Sequence, residues 1–215
     1  MTLTQRNQQL ALGFFGLFGI LAILIKMQFE PLISLDHQWL TAFSGSSLGQ
    51  HIRVWEWLTL LGSPLVTGGL AVVLALFLWR IRQVGWSVAT LVGIIGGDGL
   101  LLALKDLVGR VRPLQPVVAD SGFSFPSGHV FSTALVAGIV ITLLYQFLKG
   151  NAVFWSVTAV IVMGVIAIML ARLGLRNHFP SDVLGSVLLA SGWWLQVVSV
   201  YERVVQRWRK IQAQE

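Results

Sequence analysis

Residues 125–148 read FPSGHVFSTALVAGIVITLLYQFL, a short polar break followed by an apolar run from Val130 to Leu148. The run is long enough to cross the hydrocarbon core of a bilayer as a helix. Its entrance is polar, because Ser127, Gly128 and His129 bring a hydroxyl, an unhindered backbone amide and an imidazole to one end. A helix start carries unpaired N–H groups and a positive dipole, so this end favours an anion.

The composition of the whole chain is that of a membrane protein. Of its residues, 55% are hydrophobic and 11% are charged, and the mean hydropathy is +0.77. The absence of Cys excludes disulfides, thiolate nucleophiles and cysteine metal sites. The net charge of +6 is typical of basic cytoplasmic loops and anionic lipid contacts, so the expected partner is the lipid bilayer and not nucleic acid.

Six apolar segments predict an all-α polytopic membrane protein, a bundle of six transmembrane helices forming one domain over residues 1–215. The predicted spans are Leu10–Met27, Leu58–Trp79, Gly85–Leu104, Val130–Leu148, Val153–Ala171 and Asp182–Val200. Residues 28–57 mix charged and aromatic side chains, which favours short interfacial helices between the first and second spans.

Two local patterns refine these spans. Ser63 precedes Pro64, a pair that predicts a helix cap followed by a first helical residue. Gly93 and Gly97 have the small-x-x-x-small spacing that lets membrane helices approach closely.

An even number of spans places both termini on one side of the membrane. Of the 15 Lys and Arg residues, eight fall on that side and seven on the other, so the charge rule alone barely decides the orientation. Three of the seven belong to the polar clusters described below, and the same side carries most of the acids. We therefore expect cytoplasmic termini, and polar clusters at the extracytoplasmic face of the plasma membrane.

A second polar cluster lies at the end of the third span. Arg112 follows Lys105 by seven residues, which places both on one face if the helix continues for two turns. Two fixed cations at a membrane surface suit a phosphate. Taken alone, the pair also fits two cations that snorkel to lipid headgroups.

A third cluster separates the fifth and sixth spans and contains Arg172, His178 and Asp182. Pro180 marks a helix start, so Asp182 would lie in the first turn and reach back to His178. A carboxylate on one imidazole nitrogen fixes the tautomer and prepares the other nitrogen as a nucleophile. The alternative for this cluster is that Asp182 only caps the helix and that the histidine is unrelated to it. The alternative for Ser127 is likewise an ordinary serine cap.

Taken together, the three clusters favour a site. Each charge near hydrocarbon costs on the order of 2.5 to 3.5 kcal/mol, so collecting several at one membrane face requires a compensating role. The order Lys105 to Arg112-Pro113, then Pro126-Ser127-Gly128-His129, then Arg172 to His178 and Asp182 resembles the signature of the type 2 phosphatidic acid phosphatase superfamily. Within it, the bacterial integral-membrane phosphatidylglycerophosphate and undecaprenyl diphosphate phosphatases are the most similar branch. Ala171 stands where the family usually has serine.

The resemblance implies hydrolysis of a lipid phosphate through a phosphohistidine, without a metal or other cofactor. His178 would be the nucleophile, Asp182 its orienting partner and His129 the general acid and base. The implied phosphate ligands are Lys105, Arg112, Ser127, Gly128 and Arg172. The catalytic core would cover about residues 84–200.

The substrate remains open at this stage. Three of the cations that lie outside the implied phosphate ligands are Arg53, Arg110 and Arg176. Together with His51 they could bind a second phosphate, which favours undecaprenyl diphosphate. Phosphatidylglycerophosphate or phosphatidate is the alternative, and a lipid phosphotransferase would use the same intermediate. Asp98, inside the third span, is a candidate for a supporting or proton-handling role or for a hydrogen bond between helices. The competing class is a transporter or a lipid-binding membrane protein without catalytic activity. A transporter would be expected to carry its polar groups near the membrane midplane.

Overall fold

The computed structural model describes residues 3–214, and this range forms eight α-helices without a strand. They are α1 (Leu3–Lys26), α2 (Glu30–Gly45), α3 (Ile52–Leu61), α4 (Pro64–Arg80), α5 (Val84–Val108), α6 (Gly128–Leu148), α7 (Ala152–Gly174) and α8 (Pro180–Gln212). Six segments within this range are long and apolar enough to cross a membrane. The predicted all-α bundle with six spans is confirmed.

The second membrane segment begins earlier than predicted. It runs from Ile52 to Arg80 and is divided between α3 and α4 by Gly62 and Ser63. The Ser63 hydroxyl accepts a hydrogen bond from the Val66 N–H at 3.3 Å and caps α4, as predicted. Short interfacial helices were expected over residues 28–57. Helix α2 lies in that range before the membrane segment, whereas α3 forms the first part of the segment itself.

Helices α5, α6 and α8 form the centre of the bundle, and α1 packs along α8. A Cβ added to Gly93 would lie 3.1 Å from the Trp194 ring, so the predicted close approach at this glycine is confirmed. The indole N–H of Trp193 donates to the Gly93 carbonyl at 2.7 Å, and that of Trp194 donates to the Thr142 hydroxyl at 2.8 Å. These contacts hold the middle of α8 against α5 and α6.

Candidate active site

The three polar clusters meet at one end of the bundle. The end of α5, the start of α6 and the loop before α8 surround a cavity of about 310 Å³. Its wall contains six of the predicted or candidate residues, namely Asp98, Lys105, Arg112, Gly128, His129 and His178. The structure therefore brings together side chains that lie as far apart in sequence as the third and sixth spans.

His178 and Asp182 form a buried pair at the base of this cavity. The His178 Nδ1 lies 3.6 Å from the Asp182 Oδ2, which is longer than a hydrogen bond but close enough for a strong charge interaction. Asp182 is held from two sides, because its Oδ2 accepts the Phe179 N–H at 2.8 Å and its Oδ1 accepts from Arg110 at 2.7 Å. These two contacts fix the Asp182 carboxylate beside the His178 imidazole.

The other nitrogen of His178 carries the lone pair. Its Nε2 lies 3.1 Å from Arg112 Nη1, and a guanidinium can only donate, so Nε2 accepts and the proton resides on Nδ1, toward Asp182. Burial lowers the pKa of His178 to about 4; Asp182 opposes this shift, while Arg172 and Arg112 reinforce it. The imidazole is neutral at pH 7 and is able to act as a nucleophile through Nε2.

Sequence reasoning missed Asp120, which lies in the loop between α5 and α6. Its carboxylate pairs with Arg112 at 3.1 Å and also with Arg172, and it lines the same cavity as His129 and His178. Burial alone would raise the pKa of Asp120, but Arg112 and Arg172 outweigh it and hold that pKa below its usual value. An anionic oxygen therefore stands between two guanidinium groups in the cavity that His178 also lines. Its only sequence signal is an acid placed between two basic motifs.

The remaining predicted phosphate ligands differ in their exposure to the cavity. Lys105 Nζ donates to the Phe123 carbonyl at 2.7 Å. Arg172 is buried, and its Nη1 donates to the Thr59 hydroxyl at 2.8 Å. The Ser127 hydroxyl is also buried, lies outside the cavity wall and has no hydrogen-bond partner within residues 3–214. Its role as a phosphate ligand stays a prediction.

The suggested use of Arg110 for a second phosphate is wrong. Its guanidinium is buried and pairs with Asp36 at 2.7 Å and with Asp182 at 2.7 Å, so both of its terminal amino groups are already bound to carboxylates. Asp98 lies in the cavity wall and is partly buried, and no other group in residues 3–214 forms a hydrogen bond or ion pair with it. The proposed hydrogen bond from Asp98 to a neighbouring helix is therefore not formed in this structure.

The family model of the PAP2 superfamily matches residues 85–206, which include every residue of the three clusters. The chain belongs to the PAP2 superfamily. Helices α1–α4, with Asp36 and Thr59, lie outside the matched range, although both residues contact members of the site.

Two PAP2-type proteins are similar to this chain. Phosphatidylglycerophosphatase B of Bacillus subtilis (strain 168) is 33% identical over 129 residues, which are 58% of this chain and 63% of that protein. The crystal structure of a transmembrane PAP2 type phosphatidylglycerolphosphate phosphatase from Bacillus subtilis superposes with a TM-score of 0.81 at 26% identity. That superposition covers 90% of this chain and 96% of the other. The likeness in fold therefore extends beyond the matched family range.

Proposed function

We propose that this chain is a membrane lipid phosphate phosphatase that forms a phosphohistidine at His178. One observation carries the proposal: a neutral Nε2 faces a cavity in which two guanidinium groups already bind one anionic oxygen, the Oδ2 of Asp120. A phosphate also carries anionic oxygens that accept hydrogen bonds from guanidinium groups, and it holds them in a tetrahedral arrangement. It would take the place of the Asp120 carboxylate and bring phosphorus next to Nε2.

The proposed reaction has two halves, and in the first half the lipid phosphate is transferred to His178. Arg112, Arg172 and Lys105 neutralise the phosphate oxygens as charge spreads over them, with the Gly128 amide and the Ser127 hydroxyl as further donors. The His178 Nε2 forms a bond to phosphorus, while the bond from phosphorus to the lipid oxygen breaks.

The lipid oxygen that leaves phosphorus needs a proton. His129, in its protonated form, donates to the leaving oxygen and becomes a neutral base. It then removes a proton from water, and the hydroxide attacks phosphorus. The bond to Nε2 breaks, inorganic phosphate departs and both histidines return to their starting states.

The supports for a lipid substrate are the names of the similar proteins and an apolar groove of about 320 Å³. The groove runs between α4, α6 and α7 and is lined by Thr133, whose hydroxyl donates to the His129 carbonyl at 2.7 Å. It thus begins one helical turn below the proton donor, where the lipid chains of a leaving alcohol would lie. The phosphate end would sit at the extracytoplasmic face, with both termini in the cytoplasm.

Phosphatidylglycerophosphate is the substrate we propose. Undecaprenyl diphosphate would present a second phosphate, and one of the cations suggested for it, Arg110, is bound to Asp36 and Asp182. A phosphate monoester needs only the cations that surround Asp120.

The test is phosphate release by purified protein in detergent with EDTA, from phosphatidylglycerophosphate, phosphatidate, undecaprenyl diphosphate and a soluble phosphate ester. We expect release from the lipid phosphates, with phosphatidylglycerophosphate hydrolysed best, and loss of activity in His178→Ala. On phosphatidylglycerophosphate, His51→Ala is the matched control, because the exposed His51 ring contacts the local Ser47 carbonyl and does not line the cavity. Inactivity on the whole panel, or full activity of His178→Ala, contradicts the proposal. Product analysis with lipid acceptors identifies a phosphotransferase.

A further inference from the structure

Helix α2 places a carboxylate toward the protein interior and apolar side chains outward. Asp36 is 2% exposed, whereas its neighbour Leu35 is 49% exposed and Trp39 is 63% exposed. A buried carboxylate is costly unless it is paired and fully hydrogen-bonded. Asp36 meets both conditions, because Oδ2 accepts from Arg110 at 2.7 Å and Oδ1 accepts the Ser181 N–H at 2.9 Å.

Arg110 joins this acid to the candidate catalytic pair. One amino group contacts Asp36, and the other donates to Asp182 Oδ1 and to the Ser181 hydroxyl, both at 2.7 Å. The guanidinium also lies over the Phe179 ring, 4.2 Å from its centroid. A continuous series of charges therefore runs from Asp36 through Arg110 and Asp182 to His178.

The alternation of charge has a consequence for the nucleophile. When Nε2 bonds to phosphorus while Nδ1 keeps its proton, the ring becomes cationic and depends on the negative charge of Asp182. Arg110 alone would neutralise that charge. Asp36 offsets Arg110 from its far side, which leaves Asp182 able to stabilise the cationic ring.

We propose that Asp36 is a positioning residue for the nucleophile: through Arg110 it holds Asp182 in place and preserves the negative charge that Asp182 presents to His178. This inference rests on the proposed phosphohistidine chemistry. It also gives α2, which lies outside the matched family range, a defined part in the site.

The test substitutes Asp36→Asn, which keeps the shape and removes the charge. We expect kcat to fall about tenfold, since a hydrogen bond to a charged group is altered, and KM to stay near the wild-type value because Asp36 does not line the cavity. The acid limb of kcat/KM should move to lower pH, because the imidazolium of His178 loses negative charge nearby. Asp36→Glu retains the charge and should restore the position of that limb. Asp106→Asn, an exposed acid in the last turn of α5, is the matched control.

Other charged groups also face His178 and stay unchanged in these variants. They are Lys105 on α5, Arg112 and Asp120 in the following loop, His129 on α6, Arg172 on α7 and Asp182 on α8. A movement of the acid limb in Asp36→Asn is therefore assigned to the one charge removed.

A second readout does not need turnover. The NMR titration of His178 in the resting protein should show a lower pKa in Asp36→Asn than in wild type, even if the proposed reaction itself is not observed. If Asp36→Asn does not fold, Arg110→Lys replaces it: a single ammonium cannot bridge both carboxylates, so kcat should fall with the charge conserved. Folded Asp36→Asn with wild-type kcat and titration overturns the inference. So does lost activity with an unmoved titration, which indicates a merely structural role.

Discussion

The substitution Asp120→Asn tests whether the protein fills its own phosphate position. In the structure, the Asp120 carboxylate pairs with Arg112 and Arg172 at the cavity, and the phosphate in the proposed mechanism requires the same two guanidinium groups. Wild-type protein must break both contacts before an anion binds. Asparagine keeps the size of the side chain and removes its charge, so the competition weakens.

The magnitude follows from the exposure of the partners. The Asp120 side chain is 25% exposed, compared with 13% for Arg112 and 3% for Arg172. Partly exposed ion pairs contribute up to about 1 kcal/mol each, and the amide retains some hydrogen bonding. A net change of about 1.4 kcal/mol corresponds to about tenfold tighter binding of a competing anion. Because Asp120 is displaced in the complex, kcat should change by less than about threefold.

The assay is the competitive inhibition constant of inorganic phosphate or orthovanadate, measured with purified protein and one lipid phosphate. Asp106→Asn serves as the control, since it removes an exposed carboxylate nearby without touching the cavity. We expect the inhibition constant to fall about tenfold in Asp120→Asn and to stay constant in the control. An unchanged or higher inhibition constant in Asp120→Asn refutes competition by the carboxylate.

Three further predictions concern the nucleophile, the groove and the buried hydroxyl. The kcat/KM profile should lose activity only as the pH approaches about 4, because the lowered pKa keeps His178 neutral above it; an acid limb near pH 6.5 would contradict this. Gly164→Leu should fill the apolar groove and raise KM about fivefold for long-chain lipid phosphates but not for a soluble ester, whereas Gly13→Leu on the open face of α1 should change neither. Ser127→Ala should lower kcat/KM about tenfold if its hydroxyl binds phosphate, and equal activity would leave it a space-filling residue.

The fold was predictable because the membrane imposes a simple rule on sequence. Apolar runs of sufficient length must be helices, since lipid offers no partner for backbone groups. The start of the second span was placed too late because Arg53 and Glu56 lie in α3, and charged residues mask an apolar segment. Only the structure shows that α3 continues into α4 across Gly62 and Ser63.

The candidate site was predictable where spacing along one chain segment carries the chemistry. Lys105, His129 and His178 were identified in that way, and the structure places them around one cavity. Asp36 and Asp120 were missed, because their partners lie up to 145 residues away in the sequence. A lone acid in a polar loop or an amphipathic helix acquires its meaning only from the cations that the fold brings to it.

The most direct test of the account is the capture of a phosphorylated enzyme. Protein carrying His129→Ala, which should slow hydrolysis of the intermediate, is mixed with a radiolabelled phosphate ester of an acidic alcohol and quenched in base. The account predicts label that is stable to base, labile to acid and located on the peptide containing His178, and no label in the His178→Ala, His129→Ala double variant. Absence of label from the histidine peptide while phosphate is released, or label on another residue, would contradict His178 as the nucleophile.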